Sequence, residues 1–144
     1  MIQENKEKIT LMSAHKQMFK NYKNFKGRSR RKEYWLATAA FSIISFILLT
    51  IMYIPLIGYY SSGEISTLSL IIMCISGIAA VFYCVLAILP MIALSVRRLH
   101  DIGKSGWFLL LGCIPYIGSV VIFIFAILDS QPGINKYGKN PKEI

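Results

Sequence analysis

Charge is scarce along most of this chain. Between Trp35 and Val96 the only Asp, Glu, Lys or Arg is Glu64, and 16% of the 144 residues are charged, against roughly a quarter in a soluble domain. The apolar stretches hold no Asp or Glu, which counts against an ion-coupled transport path, because intramembrane ionisable residues usually mark such paths. Paired carboxylates, a Ser/His/Asp set and zinc-type ligand spacing are all missing, so the sequence offers no catalytic residues, no metal site and no cofactor. Cysteine is limited to Cys74, Cys84 and Cys113. An odd number without paired spacing argues against a disulfide framework or metal site and suggests packing residues. A signal peptide is also missing. The first apolar run starts only at Trp35 and exceeds the roughly 7–15 residues of a signal-peptide core, so it is expected to stay in the membrane.

What the chain has instead is three long apolar stretches, Trp35–Tyr60, Leu68–Val96 and Trp107–Leu128, and a mean hydropathy of +0.54. A hydrocarbon core of roughly 30 Å needs about 20 helical residues. Lipid offers backbone N–H and C=O groups no partner, so helices are the expected form. A greasy soluble bundle would show an amphipathic stripe, whereas Phe41–Ile54 is apolar on nearly every face. The reading is an all-α integral membrane protein with three transmembrane helices, preceded by a basic amphipathic interfacial helix. The spans are expected at about 35–59, 69–95 and 107–128. They form a transmembrane domain of 34–128 between a basic segment, 1–33, and a polar tail, 129–144.

Lys and Arg near membrane ends set orientation. Ten precede Trp35: Lys6, Lys8, Lys16, Lys20, Lys23, Lys26, Arg28, Arg30, Arg31 and Lys32. The first loop, Ser61–Thr67, has none, and the second, Arg97–Gly106, has Arg97, Arg98 and Lys104. The amino terminus and second loop are therefore expected in the cytoplasm. This asymmetry accounts for most of the +9 net charge without a nucleic-acid partner. The tail is harder to place, because three full spans would export Lys136, Lys139 and Lys142. A short echo adds a second possibility. Ile54-Pro55-Leu56-Ile57-Gly58, a turn that can end the first helix, recurs as Ile114-Pro115-Tyr116-Ile117-Gly118. The second copy follows Trp107 by roughly 12 Å of helix, about mid-membrane. It is either a proline kink in a third span or the tip of a re-entrant helical hairpin. The kink is favoured, since a hairpin tip needs protein or water around its backbone.

From Leu11 to Phe25, Leu11, His15, Met18, Tyr22 and Phe25 fall on one helical face, with Lys16, Lys20 and Lys23 opposite. Such a helix suits the cytoplasmic membrane interface or packing on the protein's own second loop. Tyr34, Trp35, Tyr59, Tyr60 and Trp107 lie where an aromatic belt is expected. Ser76, Gly77, Ala79 and Ala80, followed by Cys84, form a small-residue patch suited to close helix packing within or between chains. Pro90 is expected to bend the second helix near its cytoplasmic end.

Polar residues gather in three places. The first two are Phe25-Lys26-Gly27-Arg28-Ser29-Arg30-Arg31-Lys32-Glu33-Tyr34-Trp35 and Arg97-Arg98-Leu99-His100-Asp101-Ile102-Gly103-Lys104-Ser105-Gly106-Trp107. The third is Asn135-Lys136-Tyr137-Gly138-Lys139-Asn140-Pro141. In that order, over roughly Phe19 to Pro141, they resemble the pattern of the DUF805 family, small bacterial inner-membrane proteins of the YhaH type. The matching positions include Gly27 and Trp35 with arginines between them, the whole Arg97–Trp107 loop, and Asn135, Tyr137, Gly138 and Pro141. The resemblance implies a multi-spanning protein of the bacterial inner membrane, and it brings no substrate.

Read from its own residues, the second loop pairs Arg97 with Asp101 one helical turn on, with Arg98 on another side. Gly103 suits a left-handed helix end and Ser105 an N-cap for the following helix, which together make a tight hinge. The functional alternative is anion binding by Arg97, Arg98, Lys104 and the helix start at Gly106–Trp107, completed by Arg28, Arg30 and Arg31. Anionic lipid is the nearest ligand, with a protein partner or a second copy as other occupants. His100 could titrate near neutrality, but as neighbours His100 and Asp101 point apart. The expected function is a non-enzymatic membrane protein with a basic cytoplasmic face. The alternatives are a small homo-oligomeric channel or transporter and, less supported, an enzyme acting on a lipid phosphate.

Overall fold

The computed structural model of the chain describes residues 9–143 and is helical apart from its turns and tail. Lys6 and Lys8 lie outside the described residues. Helix α1, Leu11–Lys20, starts in a capping box: the Ser13 amide donates to Thr10 Oγ1 at 3.2 Å, and the Thr10 amide to Ser13 Oγ at 2.9 Å. Ten residues are too few for an isolated helix to persist in water, so packing sustains it. Ala14 and Met18 are buried on Ala37 and Leu94, with Tyr34, Leu36 and Met91 around them. The buried face of α1 therefore meets the start of the second helix and the end of the third rather than the second loop. The helix also stops earlier than its periodicity suggests. Asn21 leaves helical geometry and a turn follows to Asn24, so Tyr22 and Phe25 lie beyond it.

Helix α2 runs Arg31–Ser62 and α3 runs Thr67–Asp101. Both are long and apolar enough to cross a membrane. Their most apolar stretches are only 11% and 17% buried, unlike the core helices of a soluble fold. Proline does not break either helix. Pro55 and Gly58 stay within α2, which ends instead before Gly63 (φ 75°), and Pro90 is buried within α3.

The chain divides into two compact units, one joining the amino-terminal segment through Thr38 with everything from Leu89 onward, the other Ala39–Ile88. In the second unit the small-residue patch is a packing seam within the chain. Ser76, Ala80 and Ala87 are buried, Gly77 faces the Met52 sulfur, and Phe41 stacks on Tyr83 at 5.4 Å. The three cysteines are exposed, so they do not pack inside the described chain as expected.

In the first unit, Trp107–Leu128 is not one helix. A 3₁₀ helix, Gly106–Cys113, is followed by a turn and by α4, Ile117–Ile127. Proline explains the break. It disfavours helical geometry in the residue before it, and Ile114 is extended (φ −81°, ψ 117°). Tyr116 then takes φ 61° and the chain doubles back. Phe108 meets Phe125 edge-on at 5.9 Å, and the Gly118 backbone lies against Leu111 and Gly112. A Cβ on Gly118 would lie 2.8 Å from the Leu111 carbonyl carbon, so this close approach requires glycine. The expected kinked span is thus replaced by a helical hairpin.

Candidate functional site

The end of α3 is built by its own cap. The Lys104 amide donates to the Leu99 carbonyl at 2.9 Å and the Gly103 amide to the His100 carbonyl at 3.0 Å, with Gly103 at φ 76°. This paired geometry at a left-handed glycine stops the helix and leaves Arg98, His100 and Asp101 in its last turn, with Arg97 just before it. Ser105 caps the 3₁₀ helix, its hydroxyl accepting from the Trp107 amide. Both capping expectations hold, although the second helix is a 3₁₀ helix rather than a span.

The expected Arg97–Asp101 pair does not form. Asp101 Oδ2 accepts instead from Arg98 Nη1, three residues back, and from the Ser130 hydroxyl. Its Oδ1 accepts from Arg28 Nε at 3.0 Å. All three charged side chains are essentially inaccessible, at 0–2% exposure. Burial at this level is tolerable only when charges are paired and their remaining donors satisfied, and here backbone carbonyls supply the rest. Arg28 Nη1 donates to Gly133 O at 2.8 Å and to Gly138 O at 3.3 Å, and its Nη2 to the carbonyls of Asp101 and Gln131. Arg98 donates to the carbonyls of Ala126, Ser29 and Leu128. The Gln131 amide donates to Asp101 O at 2.9 Å, and the Ser29 amide to Arg97 O at 3.1 Å.

The first two polar stretches therefore meet at one buried carboxylate, and the third reaches the cluster through Gly138 O, which accepts from Arg28. Arg97 serves a different purpose: its Nη1 donates to Asn21 O at 2.9 Å and Asn24 O at 2.7 Å, tying down the turn after α1. Arg31 is exposed and donates to Ile127 O at 3.0 Å. Arg30 is half-buried, and Lys104 is exposed 5.9 Å from the Phe108 ring. Trp35 meets Phe123 edge-on at 5.8 Å, and Pro141 is half-buried in the tail.

His100 sits beside the cluster without joining it. Its ring stacks on Tyr137 at 3.7 Å, nearly parallel at 6°. Its Nδ1 faces Gly27 O at 3.3 Å, and Asn135 Nδ2 donates to its carbonyl at 2.9 Å. A cleft of about 500 Å³ opens at its other edge, where Ser105, Gly106 and Trp107 approach. In the tail, the exposed Lys142 ammonium bonds to Asp129 and holds that carboxyl below its usual value.

Sequence reasoning missed Ser29, Ser130, Gln131 and Gly133. The last three belong to the run Asp129-Ser130-Gln131-Pro132-Gly133. A dense turn signal directly after an apolar stretch was the available clue. The carbonyls of Ala126 and Leu128 carried no signal, because any residue type supplies them.

The chain is similar in sequence to known proteins. The family described as "Protein of unknown function (DUF805)" matches residues 22–139. Inner membrane protein YhaH of Escherichia coli (strain K12) is 35% identical over 131 residues, covering 91% of this chain and 98% of YhaH. Inner membrane protein YhaI of the same strain is 36% identical over 131 residues, 91% of this chain and 97% of YhaI. No solved structure matches.

Proposed function

Because the chain belongs to the DUF805 family, we propose that it is a multi-pass bacterial inner-membrane protein, non-enzymatic, whose basic cytoplasmic face holds anionic phospholipid. The observation that carries this reading is a division of labour among its cations. Arg28 and Arg98 are occupied by internal partners, and Arg97 is engaged through Nη1, its buried Nη2 having no hydrogen-bond partner among the described residues. Lys16, Lys20, Lys23, Lys26, Lys32, Lys104, Lys136 and Lys139 stand exposed on the same compact unit. A cation near an anionic leaflet gains about 1 kcal/mol, so several together favour acidic head groups. Against an enzyme on lipid phosphate stands the saturation of Asp101, whose two oxygens already accept from Arg28, Arg98 and Ser130.

In the topology we infer, α2 and α3 cross the membrane and the third apolar stretch re-enters from the cytoplasm. Two features support it. Eight residues of 3₁₀ helix rise roughly 16 Å and eleven of α4 roughly 16 Å, each about half of a ~30 Å core. The bonds from Arg28 to Gly133 and Gly138 also hold the tail beside the basic amino-terminal segment.

The test is lipid retention in mild detergent. Wild-type protein is expected to carry phosphatidylglycerol over phosphatidylcholine, and raised salt to weaken the preference as screening shortens. A Lys16→Glu/Lys20→Glu/Lys23→Glu/Lys104→Glu variant should lose most of it. Equal retention by the folded variant would overturn the reading.

A further inference from the structure

The cleft beside His100 is a different feature from the exposed lysines. Its volume of about 500 Å³ falls in the range of small-molecule sites. One wall is apolar, formed by Ile92 and Val96 of α3 with Leu109 and Leu110 of the 3₁₀ helix. The polar end is His100 and Ser105, with Trp107 and Tyr137 at the rim. No acidic side chain lines it.

His100 is 91% buried, being 9% exposed, and its orientation is fixed by the Tyr137 stack and by Gly27 O. With Nδ1 facing a carbonyl oxygen, the neutral imidazole carries its proton there. Nε2 is left as an acceptor that no described residue hydrogen-bonds, and it is accessible from the cleft rather than sealed in. It lies at the edge where the 3₁₀ helix begins: a Cβ on Gly106 would stand 3.5 Å from it. A fixed, open acceptor at the head of an apolar cleft suits a ligand with a hydroxyl at one end and a chain behind it. Lys136, 4.9 Å from the Tyr137 ring, adds positive charge near the same end.

We propose that this cleft is a discrete binding site for one anionic phospholipid with a hydroxyl-bearing head group, its hydroxyl donating to His100 Nε2 and its acyl chain lying along Val96 and Leu110. The proposal rests on the lipid-facing reading above and adds to it a single site with head-group selectivity.

Phosphatidylglycerol carries head-group hydroxyls, whereas phosphatidylmethanol has the same phosphate charge and none. Native mass spectrometry of the full chain, equilibrated with the two lipids in equal amounts, counts the lipid that survives delipidation. The wild type should retain one lipid and prefer phosphatidylglycerol by roughly two- to tenfold, the effect of one neutral hydrogen bond. His100→Phe, which keeps a ring against Tyr137, should bring the ratio to one. Leu110→Trp, at a position 60% exposed and so tolerant of a larger side chain, should fill the cleft and remove the retained lipid. Equal retention of both lipids by the wild type, or unchanged selectivity in His100→Phe, would overturn the proposal. So would a lipid still held by Leu110→Trp. Each of these failures leaves intact the salt-sensitive preference for anionic over zwitterionic lipid, so the two readings fail separately.

Discussion

Removing the carboxylate at Asp101 is the most direct perturbation of the buried cluster. Asp101→Ala leaves the Arg28 and Arg98 guanidiniums, each at most 2% exposed, facing one another without a counter-charge. Breaking a buried ion pair from one side costs about 3–5 kcal/mol, because the stranded charge cannot regain water. At roughly 2–4 °C per kcal/mol for a chain near this size, Tm should fall by about 6–20 °C. Trp35, edge-on to Phe123 at 5.8 Å, gives a fluorescence reporter for unfolding in detergent. Arg28→Ala should also destabilise, since Gly133 O, Gln131 O and Asp101 lose a shared donor. The double variant should cost less than the sum of the singles by about 0.5–3 kcal/mol, the usual coupling of residues in one network. A Tm drop below about 2 °C for Asp101→Ala, or strict additivity in the cycle, would refute the reasoning.

Two further outcomes follow from the hairpin. Gly118→Ala drives a Cβ into the Leu111 backbone and should destabilise by about 1–3 kcal/mol as overpacking does. Gly58→Ala, at the matching place in the first copy of the motif where there is open space, should be neutral or stabilising by thermal unfolding. A cysteine at Lys142, with Cys74, Cys84 and Cys113 replaced by alanine, should react with an impermeant maleimide only after the cytoplasmic face is opened. Labelling from outside would overturn the re-entrant topology.

The helical class, the two long apolar helices, the Gly103 stop and the Ser105 cap were legible because each depends on local residue chemistry. The partner of Asp101 was not. Spacings of three and four residues both bring side chains together on a helix, and what chose Arg98 was the Ala126, Leu128 and Ser29 carbonyls that complete its hydrogen bonds. The fate of the repeated Ile-Pro-x-Ile-Gly motif was equally hidden. Around Pro55 the helix continues and Gly58 has open space; around Pro115 the chain turns and Gly118 lies against Leu111. Identical local signals gave opposite outcomes because packing differs, and packing is not written in five residues. The length of α1 was overestimated for a related reason, since Arg97 fixes the turn at Asn21 and Asn24 from 73 or more positions away.

The Arg28 bonds also carry a consequence for the order of assembly. This side chain is synthesised well before its partners at Asp101, Gln131, Gly133 and Gly138, which lie 73 to 110 residues downstream. While translation proceeds from the amino terminus, the guanidinium must remain hydrated at the surface. It can withdraw from water only when Gln131, Gly133 and Gly138 have arrived. Arrival of the segment 131–138 is thereby coupled to closure of the fold: a product truncated before it keeps an open, charged seam where the folded protein has a dry one.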